Sequence, residues 1–411
     1  MKNMQSLPGL RMVAVALIVA IATGRAAACK CASNIHGKNP WDTAKLETQE
    51  AAAVFEGTPE KFELQWSALN AKPGDLIPSD VLSVSSRVAP RMLVTLRVQR
   101  AYKGNLGSTV QVGTGLGGGD CATSLLPGLT YLIYAYGPTV GELRVSMCSP
   151  GGWTGDKSLA PYLRFLRKEH PIASDLTAPK SWSNDPVGWE REMRVNSEEI
   201  KKQYAITTGK ICGVVTREDT DGGIVLFFST LGHSPVDFPT AHVDKDGSFC
   251  SMPLGPSKYY VQFVKVSETG PTAASYYPGV SDPEKAVAIE IGAGQMRSDI
   301  DFKALKQTTH SVLGIVTTND KSGLSGQGFF DTVSVVLVPV DANHLMLHTQ
   351  EIDFSGNFPL PKVRFFKIEN VIPGRYFAYA SYFGKGWFTR KVEVNVTDHT
   401  KFISLELVHK K

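Results

Sequence analysis

Two cysteines one residue apart, Cys29 and Cys31, follow three alanines in the stretch AAACKCASN (26–34). Four chemistries could use them. A zinc knuckle takes sulfur ligands about two to four residues apart, with a second pair at similar spacing; neither is present. A redox pair needs Cys-X-X-Cys, usually opening a helix, and this spacing is shorter. A lipid anchor also begins at a cysteine behind small residues, but it normally has a large aliphatic residue three positions earlier, where Ala26 stands. The fourth is a disulfide-pinned N-terminus. Residues two apart on an extended strand share a face. Cys29 and Cys31 could then both reach into one domain, with Lys30 pointing away and the chain's own α-amine held at the surface. Lipid anchoring and the pinned terminus both remain open at this point.

The segment before Cys29 makes a terminus there meaningful. Lys2 and Arg11 form a positive region, Met12 to Thr23 is an unbroken apolar run, and Ala26 to Ala28 are small residues suited to cleavage. The run is shorter than the roughly 20 apolar residues that span a bilayer. Residues 1–28 therefore read as a secretory signal, and the protein is expected to be exported: secreted, periplasmic or on the cell surface. Losing Lys2, Arg11 and Arg25 takes the formal charge from +4 to +1. A near-neutral chain has no electrostatic case for nucleic acid or an anionic membrane. All six cysteines (Cys29, Cys31, Cys121, Cys148, Cys212 and Cys250) follow the signal. An even count in an exported chain reads as disulfides.

Other motifs yield to plainer readings. The glycine-rich GTGLGGGDC (113–121) lacks the Lys-Ser/Thr ending of a phosphate loop and reads as a hairpin connection. His344 and His348 have helical ligand spacing in a β-rich setting without a metalloprotease motif. VDKDGSF (243–249) lacks the later ligands of a calcium loop. No nucleophile elbow, dinucleotide fingerprint or triad is apparent, so no enzyme and no cofactor is expected.

The elements that position these residues are mostly strands. There are 38 Gly and 24 Pro, and long helical periodicity is scarce. Residues 29–168 hold four cysteines and several short strands between Gly or Pro turns, as in a small barrel. In RMLVTLRVQRAYKGN (91–105), Val94, Leu96 and Val98 alternate against Leu93, Thr95 and Arg97. LAPYLRFLRKEH (159–170) spaces Leu159, Tyr162, Leu163 and Leu166 as a short packing helix. Residues 169–207 read as a linker. Residues 208–304 and 309–411 form a degenerate repeat: a strand around Gly213 or Gly314, an Asp-X-X-Gly-X-Phe turn (Asp244 to Phe249, Asp353 to Phe358), then a turn before an aromatic strand at Tyr259 or Tyr376. Each unit has the length of a seven-stranded sandwich. Cys212 and Cys250 fall in the first unit, and a bridge between them would stabilise it by roughly 3–4 kcal/mol on chain-entropy grounds.

The repeat resembles the carboxypeptidase regulatory-like, or transthyretin-like, β-sandwich, an Ig-like architecture. The N-terminal unit resembles another family. Its Cys-Lys-Cys start, AAAVFEGTP, VQRAYKGNLGSTVQVGTG, GGDCATSLLPGLTYLIYA and ELRVSMCSPGG are together similar to the inhibitory domain of tissue inhibitors of metalloproteinases, and to the wider netrin-like (NTR) module. That resemblance implies an OB-type barrel with Cys29 paired to Cys121 and Cys31 to Cys148. It also implies that the Cys29 α-amine and carbonyl chelate the zinc of a target metalloprotease while Lys30 enters its specificity pocket. An α-amine has a pKa near 8, and a catalytic zinc keeps an open coordination position. Lys30 stands where those inhibitors carry Thr or Ser, and no cysteine near Trp41 supplies their third bridge. The expected protein is thus a non-enzymatic, mainly β inhibitor of a zinc protease, or else an envelope or secreted binding or scaffold protein.

Overall fold

The computed structural model describes residues 39–65, 71–79, 91–115, 122–138, 142–146, 148–177, 198–216, 223–232, 239–267, 270–306, 308–318, 332–340, 348–353, 362–382, 387–397 and 401–409. The molecule is mainly β, arranged as several packed sheets. Residues 1–28, the expected signal segment, lie outside the described residues, as do Cys29, Lys30, Cys31 and Cys121.

A helix, α1 (Pro40–Glu50), leads in. The Asn39 side chain accepts the Asp42 N–H at 2.8 Å, capping its start. At its other end the Lys103 ammonium donates to the carbonyls of Thr48 and Gln49 at 2.9 and 2.8 Å, placing positive charge where the helix dipole is negative. The strands that follow are β1 (Ala53–Gln65), β2 (Leu76–Pro78), β3 (Arg91–Lys103), β4 (Thr109–Thr114), β5 (Tyr131–Ala135) and β6 (Gly152–Trp153). All but β2 form one sheet in the order β4-β3-β1-β5-β6. β1 changes register around Gly57 and Pro59, bulges that bend it. Residues 143–145 hydrogen-bond on both sides. Arg144 exchanges N–H···O bonds with Tyr136 beyond β5 at 2.8 and 2.9 Å, while Gly113 of β4 bonds Leu143 and Val145 at 2.8 and 2.9 Å. Phe55, Val94, Leu96, Val112, Ile133 and Leu143 are among the buried residues inside.

The short helix α2 (Ala160–Leu166) lays Leu159 and Leu163 on the other face of β1 and β5. Trp41 of α1 meets Phe165 edge to face at 5.3 Å. The start of the expected linker is part of this packing. Asp175, fully buried, takes both Nε (2.9 Å) and Nη2 of Arg164, and the Ile172 N–H at 3.0 Å. Arg164 holds that carboxyl below the usual carboxylate range. Its protonation is therefore disfavoured in the fold, so the stabilisation is present above about pH 4 and is lost as pH falls through the lower folded value. Asp175→Asn is expected to destabilise the unit by about 2–3 kcal/mol at pH 7. The gap from wild type should close in denaturant melts run at progressively lower pH; a gap that is constant with pH would refute this assignment.

The first repeat unit comprises β7 (Lys210–Thr216), β8 (Ile224–Ser229), β9 (Thr240–His242), β10 (Ser248–Cys250), β11 (Ser257–Ser267), β12 (Gly270–Tyr276), β13 (Ile289–Ile291), β14 (Met296–Arg297) and β15 (Phe302–Lys303). One sheet runs β10-β7-β14, with β15 also on β7; the other runs β12-β11-β8-β9, with β13 on β11. Ile211, Val225, Phe227, Phe249, Val261 and Phe302 are buried in the shared core. The second unit comprises β16 (His310–Thr318), β17 (Thr332–Pro339), β18 (His348–Asp353), β19 (Lys362–Val371), β20 (Gly374–Ser381), β21 (Trp387–Arg390), β22 (Val392–Val396) and β23 (Lys401–His409). Its sheets are β18-β17-β20-β22 and β19-β16-β23-β21-β2, enclosing Val316, Val335, Leu337, Phe366, Ala378 and Leu405.

The two units share more than sequence hallmarks. In each, the first strand pairs in parallel with the last: β7 with β14 and β15, β16 with β23. A Cβ on Gly213 would sit 2.1 Å from the Ile300 carbonyl oxygen, and one on Gly314 2.3 Å from that of Ile403. In each, a tyrosine hydroxyl returns to the carbonyl four residues back: Tyr259 to Gly255 at 2.8 Å, Tyr376 to Ile372 at 2.7 Å. The Asp244 turn closes as expected, with the Gly247 N–H on the Asp244 carbonyl at 2.9 Å and Phe249 in the core. In the matching motif of the second unit, Gly356 and Phe358 lie outside the described residues.

One strand crosses the expected domain boundary. β2, inside the 29–168 unit of the sequence reading, pairs antiparallel with β21 of the second sandwich, Leu76 opposite Arg390 and Pro78 opposite Phe388. The N-terminal unit also touches the first sandwich: the Phe62 N–H donates to the Leu231 carbonyl at 2.8 Å. There a Cβ on Gly255 would lie 2.0 Å from the Pro127 oxygen.

Candidate functional site

Cys148 is disulfide-bonded; Cys31, its expected partner, and the expected pair Cys29 and Cys121 fall among the residues not described. Cys212 on β7 and Cys250 on β10 stand opposite each other and are joined through sulfur at 1.99 Å. Phe249, the neighbour of Cys250, points into the core, so Cys250 points out and is exposed.

The motifs set aside in the sequence behave as structural parts where they are described. Asp246 accepts the Ser248 N–H at 2.9 Å and its hydroxyl at 2.8 Å, and these bonds hold its carboxyl below the usual range. It closes a turn. His344 is not described, and His348 opens β18. No group of three or more His, Cys, Asp or Glu is placed to hold a metal among the described residues. No described helix is long and apolar enough to cross a membrane.

The surface that stands out is the outer face of β19-β16-β23. Strand alternation sends Phe366 and Ile368 into the core, and so sends Phe365 and Lys367 outward. On β16, Val312 and Val316 point in, leaving Leu313 and Ile315 on the same outer face. Phe365 stands opposite Ile315, and Phe402 opposite Leu313. The four apolar side chains form a diagonal band across three strands. Phe365 is 78% exposed and Phe402 62%; they are the exposed aromatics among the described residues. The flanking charges pair with each other: Lys367 with Glu369, and Arg390 with Glu406 at 3.5 Å. The band thus has an electrically balanced border. This face offers apolar and aromatic contact area, and no group of metal-ligating side chains lies on it among the described residues. One signal in the sequence could have located it. Phe365-Phe366 are adjacent on a strand, so they cannot share a face, and one of the two must point away from the core.

No family model matches the chain, and no curated protein matches it. Among solved structures, the streptococcal ancillary pilin is similar at 10% identity, over 88% of this chain and 96% of that one, with TM-score 0.21. The minor pilin of Streptococcus agalactiae is similar at 11%, over 50% and 96%, with TM-score 0.23. The Bacillus anthracis TIE protein is similar at 10%, over 49% of this chain, with TM-score 0.17, and the match spans 34% of that protein. At these TM-scores the likenesses assign neither fold nor function.

Proposed function

We propose that this is an exported, non-catalytic binding or scaffold protein that presents the Phe365–Phe402 face of its second sandwich to an envelope or extracellular partner. The exposed aromatic pair carries this reading. Taking a phenyl side chain out of water contributes about 1.5–3 kcal/mol, so two on one rigid sheet could anchor a partner. The self-paired charges around them add little long-range attraction, which suits recognition by shape. The signal-like leader and the six cysteines support export. Replacing both residues (Phe365→Ser with Phe402→Ser) is expected to leave circular dichroism and melting unchanged, because neither ring is in the core. Retention of the native protein on the envelope of the producing cell should fall at least about thirtyfold, the cost of losing one hot spot of about 2 kcal/mol. Retention equal to wild type would refute this role for the face.

A second reading is favoured by the backbone bonds of residues 143–145. With Gly113 on one side and Tyr136 on the other, we read β1, β3, β4, residues 143–145 and β5 as a small barrel of OB type. Cys148, three residues beyond, is disulfide-bonded, which supports the NTR resemblance. On this reading Cys29 pairs with Cys121 and Cys31 with Cys148, the Cys29 amine and carbonyl chelate a protease zinc, and Lys30 probes its pocket. Non-reducing N-terminal mass spectrometry tests it. A free Cys29 amine with 29–121 and 31–148 crosslinks is the expected result. An acylated Cys29, or a terminus elsewhere, removes the inhibitor and leaves the scaffold.

A further inference from the structure

The second sandwich takes an edge strand from a segment some three hundred residues earlier. Lys72-Pro73-Gly74-Asp75 forms a turn, with the Lys72 N–H on the Asp75 carboxylate at 2.8 Å and the Asp75 N–H on the Lys72 carbonyl at 3.0 Å. Gly74, at φ +90°, supplies the left-handed corner. The chain then lies along β21. The Ser79 N–H donates to the Trp387 carbonyl at 2.9 Å, and the Tyr382 N–H to the Ser79 carbonyl at 3.0 Å. The Lys391 N–H donates to the Asp75 carbonyl at 3.1 Å, and the Gly74 N–H to the Lys391 carbonyl at 2.8 Å. Two cations of the sandwich hold the same segment by its backbone: Arg390 Nη1 donates to the Gly74 carbonyl at 2.7 Å, and Lys391 Nζ to that of Ala71 at 2.8 Å. Lys391 is buried and its ammonium lies 3.3 Å over the Phe377 ring.

Two features mark this edge as an acceptor for an added strand. The first sandwich builds its corresponding sheet without a strand from another unit among the described residues. The grip is also directed at main-chain carbonyls and amides, the chemistry of strand addition, and Ile77 is the buried apolar side chain among those described in the segment. A strand held chiefly through backbone hydrogen bonds can leave one edge and remake the same bonds on an identical edge.

We propose that the β21 edge binds residues 71–79 of a second copy of this chain as well as its own, so that the protein assembles by strap exchange. Every bond that holds the strap within one chain is available between two chains. The balance is then set by effective concentration and by the tether on either side of the strap. The proposal goes beyond the binding role above and does not depend on it.

Leu76 and Arg390 are register partners, and replacing Arg390 removes its bond to Gly74 but keeps the backbone ladder and the Lys391 grip, which gives the test. Full-length Leu76→Cys and Arg390→Cys variants, each checked for native circular dichroism, are mixed and oxidised, and crosslinks are mapped by peptide mass spectrometry. A 76–390 crosslink between chains is expected, in proportion to concentration when that is raised about tenfold. A chain carrying both substitutions should close on itself when dilute. If the double variant closes within the chain and the mixture gives no 76–390 product at any concentration, exchange is refuted and the strap is a purely internal clasp. If the double variant also fails to close, the strand pairing itself is refuted.

Discussion

Gly314→Ala is expected to destabilise the second sandwich by about 3 kcal/mol, at the upper end of what overpacking costs. A Cβ at this position would lie 2.3 Å from the Ile403 carbonyl oxygen and 2.5 Å from the Phe366 ring. The oxygen belongs to a strand paired in parallel with β16, so it cannot retreat without opening that ladder. The ring is packed in the core and cannot swing out without leaving a cavity. Gly213→Ala should behave alike in the first sandwich, where the Ile300 carbonyl oxygen would be 2.1 Å away and its carbon 2.5 Å. The paired result is what tests the repeat. Each substitution should lower the transition of its own sandwich in calorimetry or denaturant melts. A loss under about 1 kcal/mol at either site would mean that the parallel closing strand is not held against that glycine.

The second large effect is expected at the strap. Ile77 is buried, and its register partner Thr389 is fully buried. Ile77→Asp places a carboxylate there, opposite the uncharged Thr389, while the buried Lys391 on the same face just beyond β21 is already held on the Ala71 carbonyl and the Phe377 ring. Burying a charge in place of an apolar side chain costs several kcal/mol, comparable with the strap's hydrogen bonds at about 1 kcal/mol each, so the strap should loosen from β21. The readout is local. Hydrogen exchange of amides in 387–391 should accelerate at least tenfold, while the core amides of β3 and β5 keep their protection. Unchanged exchange at 387–391 would show that the strap is not what protects this edge. Ile77→Val, which keeps the apolar contact, should cost about 1 kcal/mol and leave exchange near wild type.

Several elements were legible in advance for simple reasons. Val94 and Leu96 point inward because a strand alternates with period two, and a single window of sequence carries that signal. Leu159 and Leu163 lie on one face of a helical turn for the same local reason. The repeat could be read because Gly213 and Gly314 each permit a close parallel strand, and because Tyr259 and Tyr376 each reach back four residues. Such requirements leave residues at fixed spacing. Parts of the stretch 169–207 pack against the N-terminal unit. The Arg164–Asp175 pair and the contact of Tyr204 with Trp153 at 4.9 Å tie both ends of that stretch to the N-terminal unit.

By itself the sequence determined the β-rich class, the Gly and Tyr marks of the repeated unit, the Asp-Gly turn, and a cysteine placement in which Cys212 and Cys250 could meet. All of these depend on residue type and near-neighbour spacing. Tertiary structure alone decided that β2 belongs to a sheet more than three hundred residues away, and that Lys391 is buried beneath it. It also decided that Phe365 and Phe402 lie on one open face. Strand addition reads backbone amides and carbonyls, which every residue carries, so the choice of partner strand leaves almost no mark in the sequence. Which outward-facing side chains stay uncovered depends on how whole sheets pack, and strand alternation cannot specify that.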